Sequence, residues 1–149
     1  MRALTAGGGG FLLAVLWMDS MFDVQVRGYA AAAVPVDVLD SISRYYARVT
    51  TSSQPRGRLI AVMMLITIIG AVGMVVRGDI PTWRAIIVLL LILAAVVVAG
   101  SRTVKNAVRL GSRCDDTAER SRLAHLIYFD HRLCSVCIAA SLVLVLAPI

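Results

Sequence analysis

The sequence predicts an all-α integral membrane protein, a single four-transmembrane-helix bundle with short amphipathic or extended helices in the cytoplasm. Two observations predict this class. Of the 149 residues, 59% are hydrophobic and only 16% are charged, which is too little charge to cover the surface of a soluble domain. The apolar residues are also gathered into four uncharged runs, at 3–18, 59–76, 85–101 and 133–149. Each run is close to the length that a helix needs to cross a bilayer.

The first run is the shortest, with 16 residues. At about 1.5 Å per residue it reaches only roughly 24 Å into a hydrocarbon core about 30 Å thick. We therefore expect the first membrane helix to span 4–26 and to carry Asp19 and Asp23 into the bilayer or to its rim. An intramembrane carboxylate costs on the order of 2.5–3.5 kcal/mol, so both acids should face the bundle interior and find partners there.

A cytoplasmic segment follows at 27–58, and its apolar residues have helical spacing. This stripe consists of Val36, Leu39, Ile42, Tyr46 and Val49. The amphipathic helix either lies on the membrane surface, with Tyr45 and Tyr46 at the headgroups, or packs on the other cytoplasmic segments. Within it, Asp40 and Arg44 have the spacing of an ion pair.

The second and third membrane helices are predicted at 59–76 and 83–101. Small residues indicate close helix contacts at Gly10, Ala14, Gly70, Ala71 and Gly73. The third helix should run on into the second cytoplasmic segment, 102–128, as far as a stop at Gly111.

Basic residues dominate both cytoplasmic segments. Arg102, Lys105, Arg109 and Arg113 share one face of the extended third helix and form a basic ridge. Together with Arg44 and Arg48, the ridge is predicted to contact anionic lipid headgroups or an acidic partner. Nucleic acid is not an expected partner, because the basic residues lie between apolar membrane runs.

The fourth membrane helix is predicted at 129–148. Asp116 and Glu119 have capping-box spacing, so a helix should begin there and continue into the membrane. Lys and Arg also predict the orientation: twelve lie in or beside the two long segments and three elsewhere. This bias places both segments in the cytoplasm and both termini outside, and a bacterial inner membrane is the expected location.

The candidate site lies where the first and fourth helices meet at the cytoplasmic rim. His131 or Arg132 is the expected partner of Asp19 or Asp23. One interpretation is a structural ion pair that determines how the two helices pack. The other is a functional acid whose protonation drives transport or catalysis.

Two cysteines lie near this site. Cys134 and Cys137 resemble the reactive pair of the quinone-coupled disulfide enzymes of the DsbB and vitamin K epoxide reductase type, which also have a four-helix membrane core. The resemblance implies redox-active thiols. However, the pair is predicted on the reducing cytoplasmic side, and Cys114 alone cannot form the second pair that such enzymes use. Redox chemistry is therefore not the leading interpretation.

No metal or cofactor is predicted. His131, Cys134 and Cys137 share a helical face, but residues of these types on a buried face commonly serve in packing. No complete catalytic set is recognisable either. The leading expectation is a non-enzymatic accessory or scaffold subunit of a larger membrane complex. The alternative is a membrane enzyme or proton-coupled carrier for a quinone- or lipid-like ligand, using Asp19 and Asp23 with His131 and Arg132.

Overall fold

The computed structural model describes residues 1–31, 33–52 and 54–148, and all regular secondary structure within them is helical. Six α-helices follow one another: α1 (Arg2–Asp23), α2 (Val36–Ala47), α3 (Gln54–Arg77), α4 (Thr82–Val98), α5 (Val104–Ser112) and α6 (Thr117–Leu146). A 3₁₀ turn, Val24–Val26, extends α1, and two π turns lie at Arg48–Ser52 and Ala99–Thr103. The second π turn joins α4 to α5.

Among the described residues, four helical segments are long and apolar enough to cross a membrane. They are Arg2–Val26, Pro55–Arg77, Thr82–Ser112 and Thr117–Leu146. The first helix does continue through Asp19 and Asp23, as its short apolar run requires. The third and fourth have 31 and 30 residues, so each is about 45 Å long and exceeds a hydrocarbon core of about 30 Å.

The four long segments pack side by side. The α1 helix contacts α3 and α6, and α4 contacts the same two helices from the other side. Their shared core contains large apolar side chains that are almost fully buried, among them Leu12, Met74, Val88, Ile92 and Ile138. This arrangement is compatible with a membrane bundle.

Close contact between α1 and α3 depends on glycines. A Cβ atom at Gly70 would lie 2.5 Å from Oγ1 of Thr5, and one at Gly8 would also collide with the facing helix. The predicted contact at Gly10 and Ala14 is wrong, because a Cβ at Gly10 meets nothing within 4 Å and Ala14 is exposed. In the four-glycine run, the glycine that lies close to α3 is therefore Gly8 and not, as the sequence indicated, Gly10.

A second apolar core lies at one end of the molecule. It joins α2, α5 and the first half of α6 through Leu39, Ile42, Leu110, Leu123 and Ile127, all of them fully buried. Protein covers Leu39, Ile42 and Tyr46 of the apolar stripe of α2, although Val36 stays exposed, so the packed arrangement of this helix is the one observed. The predicted headgroup position of Tyr46 is wrong, since this side chain is only 3% exposed.

The ends of α5 and α6 have different local causes. Gly111 does not stop α5, which continues to Ser112 and ends with Arg113 in the left-handed region at φ 56°. Instead, Gly111 allows close packing, since a Cβ there would lie 2.8 Å from the backbone nitrogen of Ala47. The predicted cap of α6 is confirmed: the Asp116 carboxylate accepts a 2.8 Å hydrogen bond from the backbone N–H of Glu119.

Candidate functional site

Six polar side chains gather where the last turn of α1 meets α2, the start of α3 and the middle of α6. We call this group the polar cluster: Asp19, Asp23, Tyr45, Tyr46, Arg56 and His131. Since α2 lies against this end of α1, the cluster lies between the two apolar cores.

Asp23 is the most deeply buried acid of the cluster, with 1% exposure. One carboxylate oxygen accepts a 2.6 Å hydrogen bond from the Tyr46 hydroxyl, and the other lies 2.6 Å from Nδ1 of His131. An ionised carboxylate can only accept, so Nδ1 carries the proton of this hydrogen bond, in the neutral and in the charged imidazole alike. Asp23 therefore links α1 to both α2 and α6.

Asp19 forms a second triangle of hydrogen bonds. Its carboxylate accepts from the Tyr45 hydroxyl and, at 2.6 Å, from the Arg56 guanidinium. Arg56 also donates to the Tyr45 hydroxyl at 3.0 Å, and the Tyr45 ring stacks on Phe22 at 3.9 Å. Asp19 is thus tied to α2 and α3, and among the described residues it makes no ion pair with α6.

Both tyrosines keep their protons near neutral pH. Burial raises the pKa of Tyr45 to about 12, and the neighbouring Asp19 adds to the rise. Burial also raises the pKa of Tyr46 well above its usual range, with a further contribution from Asp23. Each hydroxyl is therefore a permanent donor to its carboxylate.

A cavity of about 130 Å³ lies between the four long helices, next to the polar cluster, and is partly open. Its walls are mostly apolar and include Leu12, Leu16, Met64 and Ile138. Asp19 and His131 line it as well. His131 is 7% exposed, and none of the described residues forms a hydrogen bond with its Nε2 atom.

A second buried acid lies close to this cavity. Asp130 is fully buried and forms a 2.6 Å ion pair with Arg102. It also accepts a 3.3 Å hydrogen bond from the hydroxyl of Thr103, at the end of the second π turn. Ala99 and Thr103 both line the cavity, and π turns inside helices occur frequently at functional sites.

The structure brings only some of the predicted acid–base candidates together. It brings Asp23 and His131 together but pairs Asp19 with Arg56. Arg132 does not approach either acid; it is exposed, and its guanidinium lies 5.6 Å from the centre of the Tyr128 ring. Successive residues of a helix point about 100° apart, so His131 and Arg132 cannot face the same interior.

The predicted lipid- or partner-binding residues also separate into two groups. Arg102 is paired with Asp130, and Arg109 lies 2.8 Å from Asp115 and 3.2 Å from Glu119. The remaining members, Lys105, Arg113, Arg44 and Arg48, are exposed as Arg102 and Arg109 are, but they form no ion pair with the described residues. The basic ridge is therefore partly neutralised by acids of the same chain.

The predicted pair between Asp40 and Arg44 is wrong. The Asp40 carboxylate lies 2.6 Å from the Arg120 guanidinium, which α6 brings across the second core. This ion pair and coulombic contributions from neighbouring arginines lower the pKa of Asp40. Arg44 instead donates to the Asp40 backbone carbonyl at 3.2 Å.

The two cysteines of α6 are thiols and are both buried. Cys134 lines the cavity and lies 3.5 Å from the carbonyl oxygen of Ala95. Within the part of the chain that the structure describes, no three His, Cys, Asp or Glu side chains form a group that could hold a metal ion.

The chain matches no protein-family model, no curated protein and no solved structure.

Proposed function

We propose that this chain is a four-helix multi-pass protein of a bacterial inner membrane that binds a small lipid-soluble ligand in the cavity between its helices. The bias of Lys and Arg supports an orientation with both termini outside and α2 and α5 in the cytoplasm. In this orientation the polar cluster and the cavity lie at the cytoplasmic rim. A ligand would enter from the lipid or from the headgroup region.

One observation carries the proposal: the cavity has apolar walls, and it is lined by a buried imidazole whose Nε2 atom forms no hydrogen bond with any described residue. Ligand sites in proteins are concave and mostly apolar, with a few placed polar groups that determine orientation. The Asp23 carboxylate holds the imidazole ring in position through Nδ1. This is the geometry of an oriented base, in which a carboxylate selects the tautomer and leaves Nε2 to accept a proton or a hydrogen bond.

A cavity-filling variant tests the proposal. Ala95 lines the cavity and is 5% exposed, whereas its neighbour Ala94 is exposed on the outside of α4. We expect Ala95→Leu to fill the cavity and to remove the bound molecule, and we expect Ala94→Leu to retain it. The measurement is mass spectrometry of lipid-soluble compounds extracted with each variant from native-membrane particles. Equal recovery of the same compounds from both variants would contradict the proposal.

A second candidate function is an accessory or scaffold subunit of a larger membrane complex. It is supported by the pairing of Asp19, Asp23 and Asp130 with donors of the same chain, which is the pattern of structural cross-links between helices. The exposed basic residues would then bind anionic headgroups or an acidic subunit. Copurification in mild detergent tests this function: a specific partner that is lost when the exposed Lys105 is replaced by Glu would support it. A strictly monomeric protein whose deletion changes no complex would contradict it.

A further inference from the structure

We infer that the ligand presents a single aromatic ring with a hydroxyl group, as in a phenol or a quinol, and that this hydroxyl donates to Nε2 of His131. The inference rests on the proposed function and names the ligand class of the same cavity. Three properties of the cavity support it: its size, its walls and the hydrogen-bonding character of its polar lining.

The size limits the part of the ligand that is enclosed. The cavity measures about 130 Å³, and an apolar protein cavity of about 150 Å³ holds one benzene molecule. One six-membered ring therefore fills the space, whereas a fused ring system or a folded acyl chain exceeds it. Because the cavity is partly open, a tail attached to the ring can extend outside.

The walls suit an aromatic ring. Leu12, Leu16 and Ile138 offer aliphatic surface from two helices, and Met64 adds a polarisable thioether from a third. A thioether forms favourable contacts with aromatic rings at their edges. Burial of the ring against these side chains is favourable in free energy and needs no polar group on this side of the cavity.

The polar groups that line the cavity include two that can accept from a ligand, the His131 imidazole and the Asp19 carboxylate, whereas the Cys134 thiol is directed to the carbonyl of Ala95. Nδ1 of His131 lies 2.6 Å from the Asp23 carboxylate; with Nδ1 donating to this carboxylate, the neutral form of the ring offers a lone pair at Nε2. The Asp19 carboxylate can only accept, and the Thr103 hydroxyl is directed to Asp130 and to the carbonyl of Val98. A ring hydroxyl satisfies Nε2 by donating to it, but an ether or a carbonyl oxygen places two acceptors face to face.

A lipid-soluble amine is the less suitable occupant. Asp19 is already paired with Arg56 at 2.6 Å, so its charge is balanced before any ligand binds. Burial of an ammonium group in an apolar cavity is costly unless an unpaired charge compensates it. A neutral donor avoids this cost, and we therefore assign the cavity to a hydroxyl group.

The test compares matched probes on the full chain in lipid nanodiscs, with empty nanodiscs as the control for partition into lipid. The probes are 4-ethylphenol, ethylbenzene, 4-ethylanisole and 4-ethylbenzylamine, and binding is measured by titration calorimetry. We expect the phenol to bind about threefold to tenfold more tightly than ethylbenzene, the range for one net hydrogen bond. Methylation of the hydroxyl in 4-ethylanisole should remove this advantage. Ala95→Leu should abolish binding of every probe, whereas Ala94→Leu should not.

Each outcome separates the inference from the proposed function. Binding of ethylbenzene and 4-ethylphenol with equal affinity overturns the hydroxyl assignment and leaves the cavity site standing. Tighter binding of the anisole or the amine also overturns the assignment. Absence of binding by all probes contradicts the proposed function itself. In His131→Phe the preference for the phenol should disappear while ethylbenzene still binds; if that variant does not fold, the comparison of phenol with anisole on the wild-type protein decides.

Discussion

Replacement of Asp23 by Ala should destabilise the protein strongly, because it leaves two buried donors without a partner. The carboxylate accepts from the Tyr46 hydroxyl and from Nδ1 of His131, each at 2.6 Å, and is 1% exposed. A buried polar group that loses its partner costs about 1–3 kcal/mol, so we expect a total loss of roughly 2–6 kcal/mol. The free energy of unfolding can be measured by titration with SDS in detergent micelles.

Two further variants show whether the loss of stability comes from the two hydrogen bonds or from the removal of any acidic side chain. Asp37→Ala is the matched control, because Asp37 is exposed in the first turn of α2 and should cost no more than about 1 kcal/mol through the helix dipole. In a double-mutant cycle with Tyr46→Phe, we expect a coupling energy of about 0.5–3 kcal/mol. If Asp23→Ala costs no more than the control and the coupling energy is zero, Asp23 does not stabilise the protein through these two hydrogen bonds.

We make three other predictions, one each on the packing of α5, the pKa of Tyr45 and the cysteines. Gly111→Ala forces a methyl group against the Ala47 backbone and should lower the free energy of unfolding by about 1–3 kcal/mol. The control is Gly57→Ala, which should not lower it, because a methyl group at Gly57 meets open space. Equal effects of the two variants would contradict the close approach of α5 to α2. Because the pKa of Tyr45 is raised from 10.0 to about 12, the protonated hydroxyl should contribute its full stabilisation below pH 10, and this stabilisation should be lost as the pH rises towards 12. Tyrosinate absorbance measures the titration, and unfolding curves at the same pH values measure the stability. An aqueous maleimide should label the exposed Cys114 before the two buried cysteines of α6, and rapid labelling of Cys134 would contradict the packed core.

The lengths of the apolar runs were sufficient to predict the four long helical segments. The run before Asp19 is too short to cross a bilayer, which required α1 to continue through both acids, and the structure shows this continuation. The capping-box spacing of Asp116 and Glu119 likewise predicted where α6 begins. These features depend on neighbouring residues, so local pattern was enough to find them.

The partners of the acids depend on long-range packing and were less predictable. Asp19 is bound by Arg56 and Tyr45, which lie 37 and 26 positions away in the chain, and no local spacing connects them. The adjacent tyrosines were a usable signal, but a tyrosine hydroxyl suits a headgroup as well as a buried carboxylate. Only the docking of α2 against α1, α5 and α6 decides between these roles. The same limit applies to Gly111, where a helix stop and a close helix contact call for the same residue.

The proposed ligand site depends on the hydrogen bonds of the His131 imidazole at the cavity. Nitrogen NMR of the protein in lipid bilayers measures these hydrogen bonds most directly. The chain has two histidines, so a His125→Gln variant leaves the signals of His131 alone. We predict a protonated Nδ1, an unprotonated Nε2, and a shift of the Nε2 resonance when 4-ethylphenol is added but not when ethylbenzene is added. A proton on Nε2 with a bare Nδ1, or an Nε2 resonance that neither probe changes, would contradict the proposed ligand site.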